Sequence, residues 1–384
     1  MEAYFDNSAT TVVTESVKNI VVKTMTEDFG NPSSMHMVGV NAEKYIKESQ
    51  ENIGKILKVD PKEIYFTSGG TESNNMAIIG SVMANKRKGN KIITTAIEHS
   101  SVAGPMKYLE QQGFNVVYLP VDCFGKASVE ALKKEMDEET ILVSVMYVNN
   151  EVGAIQPVSE IGHYIKTINP QVVYHVDAIQ AFGKMDIKPK KDQIDLLTVS
   201  GHKIHGPKGS GFIYIKKNTK INPIIFGGGQ QMGVRSGTEN VPGIAGIGQA
   251  AKDCYEHLSA NVKKLTKLKD YLIEQLEKIE DVTINSRKGA DGAPHIVSAS
   301  FKGVRSEVLL HALEDKGIYI SAGSACSSNR PSVSATLKAM GIDKELLEST
   351  VRFSFCEFNT VEEVDYAVEQ LKELLPMLRK YVRR

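Results

Sequence analysis

The pattern of apolar and polar positions changes period repeatedly along the first two-thirds of the chain. Short apolar runs rich in β-branched residues, typical of buried strands, alternate with segments whose apolar residues recur at helical spacing, such as 128–139 and 157–168. Strands that alternate with helices predict crossover connections, and hence an α/β fold with a mostly parallel seven-stranded sheet flanked by helices. The predicted strands cover residues 63–68, 90–101, 114–121, 140–150, 171–180, 195–201 and 209–216.

A glycine-rich passage at residues 224–250 interrupts this alternation and leads into a long charged helix predicted over residues 251–279. Beyond that helix, apolar runs at 295–301 and 318–323 and a closing helix predict a smaller α+β domain. A chain of 384 residues exceeds one ordinary core, so we expect two domains with a cleft between them. The predicted division is a large domain at 15–257 and a small domain formed by 1–14 and 258–384.

Polar residues follow several of the predicted strands at the point where each strand ends. In open α/β sheets, ligands bind beyond the carboxyl ends of the strands, so these residues are candidates for a functional site. The candidates are Glu98 and His99, Asn149 and Asn150, Asp177 and Gln180, and Ser200, His202 and Lys203.

The first predicted strand runs into the glycine turn TSGGTESNN, which opens a helix at about Thr71. The unpaired N–H groups at such a helix start favour a phosphate. A phosphate site, a lysine, a carboxylate and a flat stacking group together are what pyridoxal phosphate requires. Because Lys203 lies between two histidines, we expect its pKa to be lowered, which favours the neutral amine.

Singly, each of these features also fits a structural role. A glycine turn before a helix is commonly a cap, a histidine at a strand end is commonly a buried structural residue, and Asp177 could cap a turn. Their order and joint placement at one edge of the sheet favour the cofactor site.

Composition narrows the function classes further. Lysine and arginine number 46 and aspartate and glutamate number 46, so no net field draws the chain to nucleic acid or to an anionic membrane. The four cysteines form no C-x-x-C pair, which argues against a disulfide framework or a structural zinc site and favours a reducing compartment. With no secretory pattern and no run long enough to span a bilayer, we expect a cytoplasmic protein.

Nine motifs extend these observations to almost the whole chain. They are YFDNSATT, FGNPSSMH, FTSGGTESNN, EHSSV, VNNEVGAIQP, HVDAIQAFGK, SGHKIHGPKG, RSGTENVPGIAG and SAGSACSS. With these motifs in this order, the sequence resembles the cysteine desulfurases of the NifS/IscS type, which are fold-type I pyridoxal phosphate enzymes of the class V aminotransferase superfamily.

The resemblance implies a role for each cofactor-binding candidate. Lys203 would be the Schiff-base lysine and Asp177 the partner of the pyridine nitrogen, while His99 would stack on the ring and move protons. Gln180 would hydrogen-bond the phenolic oxygen of the ring. The implied phosphate-binding residues are Gly70, Thr71, Ser200, His202 and, from a second subunit, Thr238.

The resemblance also implies a substrate and a second subunit. Asn150, which would also contact the cofactor, and Arg352 would bind the carboxylate of L-cysteine, a task suited to the planar guanidinium group. Because Thr238 would reach into the partner's site, the resemblance implies a homodimer.

The motif SAGSACSS contains Cys326, the remaining candidate. It lies among small polar residues with no apolar periodicity, which argues against a buried structural role. Cys254 lies on a predicted helix, as expected of a buried small apolar residue, and Cys123 is predicted to lie in a turn. The implied role of Cys326 is to take sulfur from the substrate as a persulfide while alanine leaves. Only a thiolate is nucleophilic, so the site must lower the pKa of Cys326 or supply a base, for which His99 is the first candidate.

Two stretches depart from the family pattern. The segment after Cys326 lacks the usual Glu-Pro-Ser, and Cys356 and Glu357 stand where glycine and arginine are common. These departures put the acceptor protein in question more than the chemistry. The predicted acceptors are an iron–sulfur scaffold or a tRNA thiolase, with no direct contact to nucleic acid or membrane. No resident metal is expected, beyond a transient contact of Cys326 with an iron–sulfur cluster.

Other functions remain open on the same residues. A selenocysteine lyase or a cysteine sulfinate desulfinase would use the same fold without a mobile thiol, and Cys326 argues against both. A plain aminotransferase is disfavoured because release of alanine needs no second amino acceptor. An inactive scaffold in a sulfur-transfer complex is the alternative from a different class, but it has no need for Lys203, Asp177 and Cys326 together.

Overall fold

The structure is a computed structural model and describes residues 1–322 and 334–381. The strands of the described residues are β1 Ala3–Tyr4, β2 Ile64–Thr67, β3 Lys91–Thr95, β4 Asn115–Leu119, β5 Thr140–Met146, β6 Val173–Asp177, β7 Leu196–Ser200, β8 Gly211–Ile215, β9 Val282–Ile284, β10 Ile296–Phe301, β11 Ile318–Tyr319, β12 Ser321–Ala322 and β13 Thr350–Ser354.

The α-helices of the same residues are α1 Glu15–Thr26, α2 Met37–Leu57, α3 Gly70–Asn75, α4 Ser81–Asn85, α5 Ser100–Gln111, α6 Val129–Glu135, α7 Val158–Ile168, α8 Val241–Glu256, α9 Leu258–Leu276, α10 Ser306–Glu314, α11 Ala335–Ala339, α12 Lys344–Leu347 and α13 Val361–Tyr381. A π-helical turn at Met76–Gly80 joins α3 to α4, and a 3-10 turn at Gly201–Lys203 follows β7.

Seven strands form the central sheet in the order β2-β8-β7-β6-β5-β3-β4. The five strands from β7 to β4 run parallel, and β8 runs antiparallel to both of its neighbours. Strands β3, β5, β6, β7 and β8 are buried along their whole length, because helices cover both faces of the sheet. The predicted mostly parallel seven-stranded sheet is confirmed.

The register of the parallel strands determines which residues meet at the carboxyl edge. Met146 at the end of β5 pairs with Asp177 at the end of β6, and Asp177 pairs with Thr198 in β7. Side chains at the ends of these strands, and in the turns that follow them, are therefore neighbours even though they are far apart in sequence.

A second, smaller core surrounds the antiparallel sheet β12-β13-β10-β9 and contains Phe5, Leu272, Phe301 and Phe353. The predicted strand at 318–323 is two short strands instead, because β11 pairs with β1 and β12 pairs with β13. The chain therefore changes sheets within that run. The division of the chain into domains at residues 14 and 257 stays a prediction.

The prediction of one continuous helix over residues 251–279 is wrong. The helix breaks at His257, whose φ of −116° and ψ of 14° are not helical, so α8 ends before it and α9 begins after it. The break has a packing cause, because Ile247 and Ala251 of α8 belong to the core of the large sheet, whereas Leu268 of α9 belongs to the second core. Within residues 1–322 and 334–381, none of the helices has the length and apolar character that crossing a bilayer requires.

Candidate active site

A cavity of about 270 Å³ opens at the carboxyl edge of strands β5, β6 and β7. The predicted site residues that line it are Gly70, Thr71, His99, Asn150, Asp177, Gln180, Ser200, His202, Lys203 and Arg352. Ser8, Ser101 and Ile179 also contribute to the wall. Thr238 is exposed and is not part of this wall in the described chain, and Cys326 lies outside the described residues.

The turn between β2 and α3 places the backbone of Gly70 directly against the cavity. Gly69 has a φ of 146°, a conformation that residues other than glycine rarely adopt. A Cβ atom on Gly70 would come 2.2 Å from Cδ1 of Ile179 and 3.5 Å from Cβ of Ser200. Gly70 and Thr71, the first two residues of α3, both line the cavity.

Asp177 is the carboxylate at the floor of the cavity. Its Oδ2 accepts a hydrogen bond from Nδ2 of Asn74 at 2.8 Å, and its Oδ1 accepts one from the N–H of Ile179 at 3.0 Å. Burial raises the pKa of Asp177, and these hydrogen bonds together with the nearby His99 and Lys203 oppose that rise. A cationic group in the cavity would therefore stabilise the ionised form of this carboxylate.

The tautomer of His99 follows from a chain of hydrogen bonds behind it. Asn74 donates from Nδ2 to Oγ of Ser101 at 2.8 Å, so the Ser101 hydroxyl is available to donate to Nδ1 of His99, also at 2.8 Å. The N–H of Ser101 donates to the same Nδ1 at 3.1 Å. Because Nδ1 accepts both bonds, the neutral ring carries its proton on Nε2. Burial lowers the pKa of His99, so the neutral form is favoured.

Lys203 is held by the N-terminal segment of the chain. Its Nζ donates to the backbone oxygens of Ser8 at 2.6 Å and Ala9 at 2.7 Å. The backbone oxygen of Lys203 accepts a hydrogen bond from Nζ of the buried Lys184 at 2.8 Å. Burial, and to a smaller extent the charge of Lys203, lowers the pKa of the neighbouring His202 to about 4, which favours its neutral form.

Arg352 brings a buried guanidinium group from β13 to the cavity. Its Nη2 contacts Oδ1 of Asp6 at 2.7 Å, and its Nη1 donates to the backbone oxygen of Asn150 at 2.8 Å. The Nε atom is buried and has no hydrogen-bond partner among the described residues. Arg352 is therefore fixed at one end of its guanidinium group and retains capacity for an anionic ligand.

Some functional neighbours were missed by reasoning from strand ends. Asn74 and Ser8 contact the predicted residues through side-chain or backbone atoms, and Asp6 pairs with Arg352. A signal existed for Asn74, which lies one helical turn after Gly70 and so shares its face of the helix.

Two residues from the strand-end candidates do not line the cavity within the described chain. Glu98 accepts hydrogen bonds from Thr95 and from the N–H of Met146, and Asn149 closes the turn after β5 by accepting from two backbone N–H groups. Both residues support the elements that carry the site.

The cysteines of the described residues fall into two groups. Cys123 is exposed, whereas Cys254 and Cys356 are buried. Burial raises the pKa of Cys254 to about 12, as expected of a small core residue, so this thiol is inert.

The chain matches a family model and curated proteins over nearly its full length. Residues 3–367 match the family described as Aminotransferase class-V. The sequence is 44% identical to cysteine desulfurase IscS of Methanosarcina thermophila over 376 residues, which cover 98% of this chain and 92% of that protein. It is 42% identical to cysteine desulfurase IscS of Clostridium botulinum strain Hall, covering 99% and 96%.

Solved structures with the same architecture are also similar in sequence. A NifS-like protein superposes with a TM-score of 0.93 at 40% identity, covering 98% of this chain and all of that one. SspA in complex with cysteine superposes with a TM-score of 0.80 at 33% identity, covering 93% of this chain.

Proposed function

The chain belongs to the class-V aminotransferase family and is a pyridoxal phosphate-dependent cysteine desulfurase, and we propose how its own residues divide the work. The proposal rests on one observation, the convergence of Lys203, Asp177, His99 and Arg352 on a single cavity. L-Cysteine is the substrate, its sulfur passes to a thiol of the enzyme, and alanine is released.

The cavity fits the cofactor on structural grounds. A close backbone approach at Gly70 suits a phosphate, and the buried Oγ of Ser8 on the cavity wall has no partner in the described part of the chain. The carboxylate of Asp177 suits a protonated ring nitrogen, and Nζ of Lys203 suits covalent attachment of the aldehyde. Ser200, His202, Thr71 and Gln180 would complete the binding site. When bound, pyridoxal phosphate withdraws electrons from the α-carbon of an amino acid.

Arg352 would bind and orient the substrate carboxylate together with Asn150. Asp6 already binds Nη2 of the guanidinium group, so the substrate carboxylate would approach Arg352 from the side that faces the cavity. Because Nη1 and Nη2 of the guanidinium group are already held by hydrogen bonds, little side-chain entropy is lost when the substrate binds.

His99 would move protons through Nε2. In the tautomer that Ser101 imposes, Nε2 holds the proton of the neutral ring, so His99 first acts as a donor toward a group in the cavity. It can accept a proton from a thiol only after it has given up its own. This order refines the expectation that His99 serves directly as the base for Cys326.

Cys326 would be the sulfur acceptor within the enzyme. Its thiolate attacks the substrate sulfur, a sulfur–sulfur bond forms and the carbon–sulfur bond of cysteine breaks. The electron pair of the broken bond remains with the carbon skeleton, which takes up protons and leaves as alanine. Cys326 retains the sulfur as a persulfide, with no net oxidant required.

The partners of the enzyme belong to the same proposal. We infer a homodimer in which Thr238 of each subunit completes the phosphate site of the other. The resemblance to the NifS/IscS type supports an iron–sulfur scaffold as the sulfur acceptor, with a tRNA thiolase as the alternative, and a cytoplasmic location is consistent with both.

Borohydride reduction of the purified holoenzyme, followed by peptide mapping, tests the attachment site and should place the label on Lys203. Changing Cys326 to alanine should leave the visible absorption of the cofactor unchanged while sulfide release from cysteine falls by more than about 100-fold. Cys123→Ala is the matched control and should retain full activity. If Cys326→Ala released sulfur at the parental rate, a lyase or desulfinase would replace the persulfide reaction.

A further inference from the structure

His205, Cys356 and Glu357 form a cluster outside the cavity that Lys203 lines in the described chain. One donor atom from each residue lies within 4.8 Å of the other two, and Nε2 of His205 lies 3.2 Å from Oε2 of Glu357. His205 and Cys356 are buried and Glu357 is partly buried. The cluster therefore places a nitrogen, a sulfur and an oxygen donor around one point beneath the surface.

The imidazole of His205 is held with its Nε2 aimed at this point. Its Nδ1 lies 2.8 Å from the backbone oxygen of Val12, and because a carbonyl oxygen only accepts, Nδ1 carries a hydrogen. The backbone N–H of His205 donates to Oγ1 of Thr11 at 2.7 Å, and the ring of Phe358 packs edge-on at 5.2 Å. A histidine that binds a metal ion typically donates its second N–H to a carbonyl oxygen in this way.

The contact between His205 and Glu357 suits a cation placed between them. Because Nδ1 of His205 donates to the backbone oxygen of Val12, Nε2 is the ring atom that faces Oε2 of Glu357, at 3.2 Å. An imidazole nitrogen, a carboxylate oxygen and the sulfur of Cys356 can all bind the same cation.

We propose that His205, Cys356 and Glu357 form a binding site for one divalent cation of the zinc type. Imidazole nitrogen, thiolate sulfur and carboxylate oxygen are the ligand types that zinc accepts, at about 2.0–2.3 Å from the metal. Tetrahedral ligands at those bond lengths lie about 3.5 Å apart, so small side-chain rotations would close the site. An adjoining cavity of about 210 Å³, which His205 and Glu357 also line, leaves room for water as the fourth ligand.

The positive charge of Lys184 is the main feature that opposes a cation here, because its buried amine acts electrostatically on both Glu357 and Cys356. The ligand charges offset it. A divalent cation bound by a neutral imidazole, the thiolate of Cys356 and the carboxylate of Glu357 gives a cluster with no net charge. The bound metal therefore adds no net positive charge beside Lys184.

Such a cation would connect the core that contains Ile204 with the second core, around the small antiparallel sheet. His205 follows Ile204, which belongs to the core of the large sheet, whereas Cys356 follows Phe355, which belongs to the second core. His205 also lies two residues after Lys203 in the same turn. We therefore expect the cation to stabilise the packing of the small sheet against the turn that carries Lys203, independently of the desulfurase reaction.

Cobalt titration of the holoenzyme tests the site, with Cys123 and Cys326 replaced by alanine and with cysteine and thiol reductants left out. One Co²⁺ per chain should bind and give the visible d–d absorption of a tetrahedral site with a thiolate ligand. In the same background, Cys356→Ser and Glu357→Gln should each weaken Co²⁺ binding by at least about tenfold. Glu130→Gln, which changes a carboxylate on the exposed face of α6, is the matched control for Glu357→Gln and should keep the parental affinity.

Thermal unfolding gives a second readout and verifies folding. The variants should retain the cofactor absorption of the parent without metal, and added Zn²⁺ should raise the melting temperature of the parent but not that of Cys356→Ser. No binding of Co²⁺ to the folded parent, or equal binding to the parent and both ligand variants, would overturn the site. Neither result would affect the release of sulfide from cysteine, so the two proposals can fail separately.

Discussion

Asn74 connects the two polar groups beneath the proposed cofactor site. Its side-chain nitrogen donates to both Asp177 and Ser101, and its oxygen accepts from Oγ1 of Thr198 at 2.5 Å. Through Ser101 it also determines the tautomer of His99. One fully buried amide thereby acts on the charge of the carboxylate and on the proton position of the imidazole.

Replacing Asn74 by alanine should impair both groups. The lost hydrogen bond lowers the pKa of Asp177 in the parent, so its removal should raise that pKa and move the acidic limb of the kcat/KM profile to higher pH. Activity should fall roughly 10- to 100-fold, the effect of losing a hydrogen bond to a charged group. The measurement is kcat/KM against pH, with Asn75→Ala as the control, since the Asn75 amide bonds to Thr71 of its own helix. An unchanged profile in Asn74→Ala would contradict this role.

Glu98 should make stability depend on pH. Burial raises its pKa to about 8, against the opposing hydrogen bonds from Thr95 and the N–H of Met146. Because the folded state holds this proton up to higher pH than the unfolded state, stability should decline as pH rises from about 4.5 toward 8.

Changing Glu98 to glutamine should remove that decline, since an amide can accept the same hydrogen bonds without ionising. Between about pH 6 and about pH 8.5, the free energy of unfolding of Glu98→Gln should rise relative to the parent by roughly 1–3 kcal/mol. Urea denaturation at both pH values measures it, and Glu130→Gln on the exposed face of α6 is the control. Parallel pH dependence in Glu98→Gln and the parent would show that Glu98 does not titrate in this range.

At the scale of single elements, the start of α3 is the most constrained part of the site. A methyl group at Gly70 would displace the side chain of Ile179, which lines the cavity, whereas a methyl group at Gly104 in α5 meets nothing within 4 Å in the described residues. The same substitution thus has different consequences in two helices. In Gly70→Ala the displaced side chain should intrude on the bound cofactor.

We expect Gly70→Ala to weaken pyridoxal phosphate binding at least about tenfold, which corresponds to about 1.4 kcal/mol of binding free energy. Gly104→Ala should leave cofactor affinity unchanged and stabilise α5 by up to about 1 kcal/mol. Equilibrium titration of the apoenzymes by visible absorption gives the affinities. Equal affinities in the two variants would show that the turn between β2 and α3 tolerates the added methyl group.

The sequence pattern predicts the bounds of an element well when the whole element packs in one core. The apolar run at 195–201 forms β7, which is one residue shorter at each end than predicted. The run at 90–101 predicts a strand throughout, yet β3 ends at Thr95 and His99 caps α5. The apolar pattern is similar in a buried strand and in the first turn of a buried helix, so it does not distinguish them.

The candidate site was predictable where it depends on strand ends. Parallel strands bring their carboxyl ends to one edge, which is why the sequence pattern alone places Asp177 and Lys203 together. Asp6, Ser8 and Asn74 act through contacts with side chains that are distant in sequence. The spacing of apolar and polar residues along the chain does not predict such contacts. The break at His257 was missed for a related reason, because a hydrophobic stripe does not reveal which core it packs against.

At the scale of the whole molecule, the first residues of the chain join its two halves. Strand β1 pairs with β11, and Asp6 binds Arg352 of the small sheet. Two residues later the backbone of Ser8 accepts from Lys203, which follows the large sheet. The N-terminal segment therefore contacts both the proposed substrate anchor and the proposed cofactor lysine.

The inferred homodimer can be tested by subunit complementation. Thr238 is exposed in the single chain and lies outside the described wall of the cavity, and we propose that it contacts the phosphate of the other subunit. A Thr238→Asp chain should have a defective phosphate site in its own homodimer, because a carboxylate repels the phosphate. A Lys203→Ala chain should be inactive because it lacks the amine.

Mixed dimers of these two inactive chains should regain activity. The site whose Lys203 is intact would receive Thr238 from the Lys203→Ala subunit, which restores one complete site per dimer and about half of the parental activity. Coexpression with two affinity tags isolates the mixed dimers, and alanine release measures them, with Thr238→Val as a control for loss of the hydroxyl alone. If Thr238 served its own subunit, the Thr238→Asp subunit would carry both the intact lysine and the defect, and the mixed dimer would stay inactive.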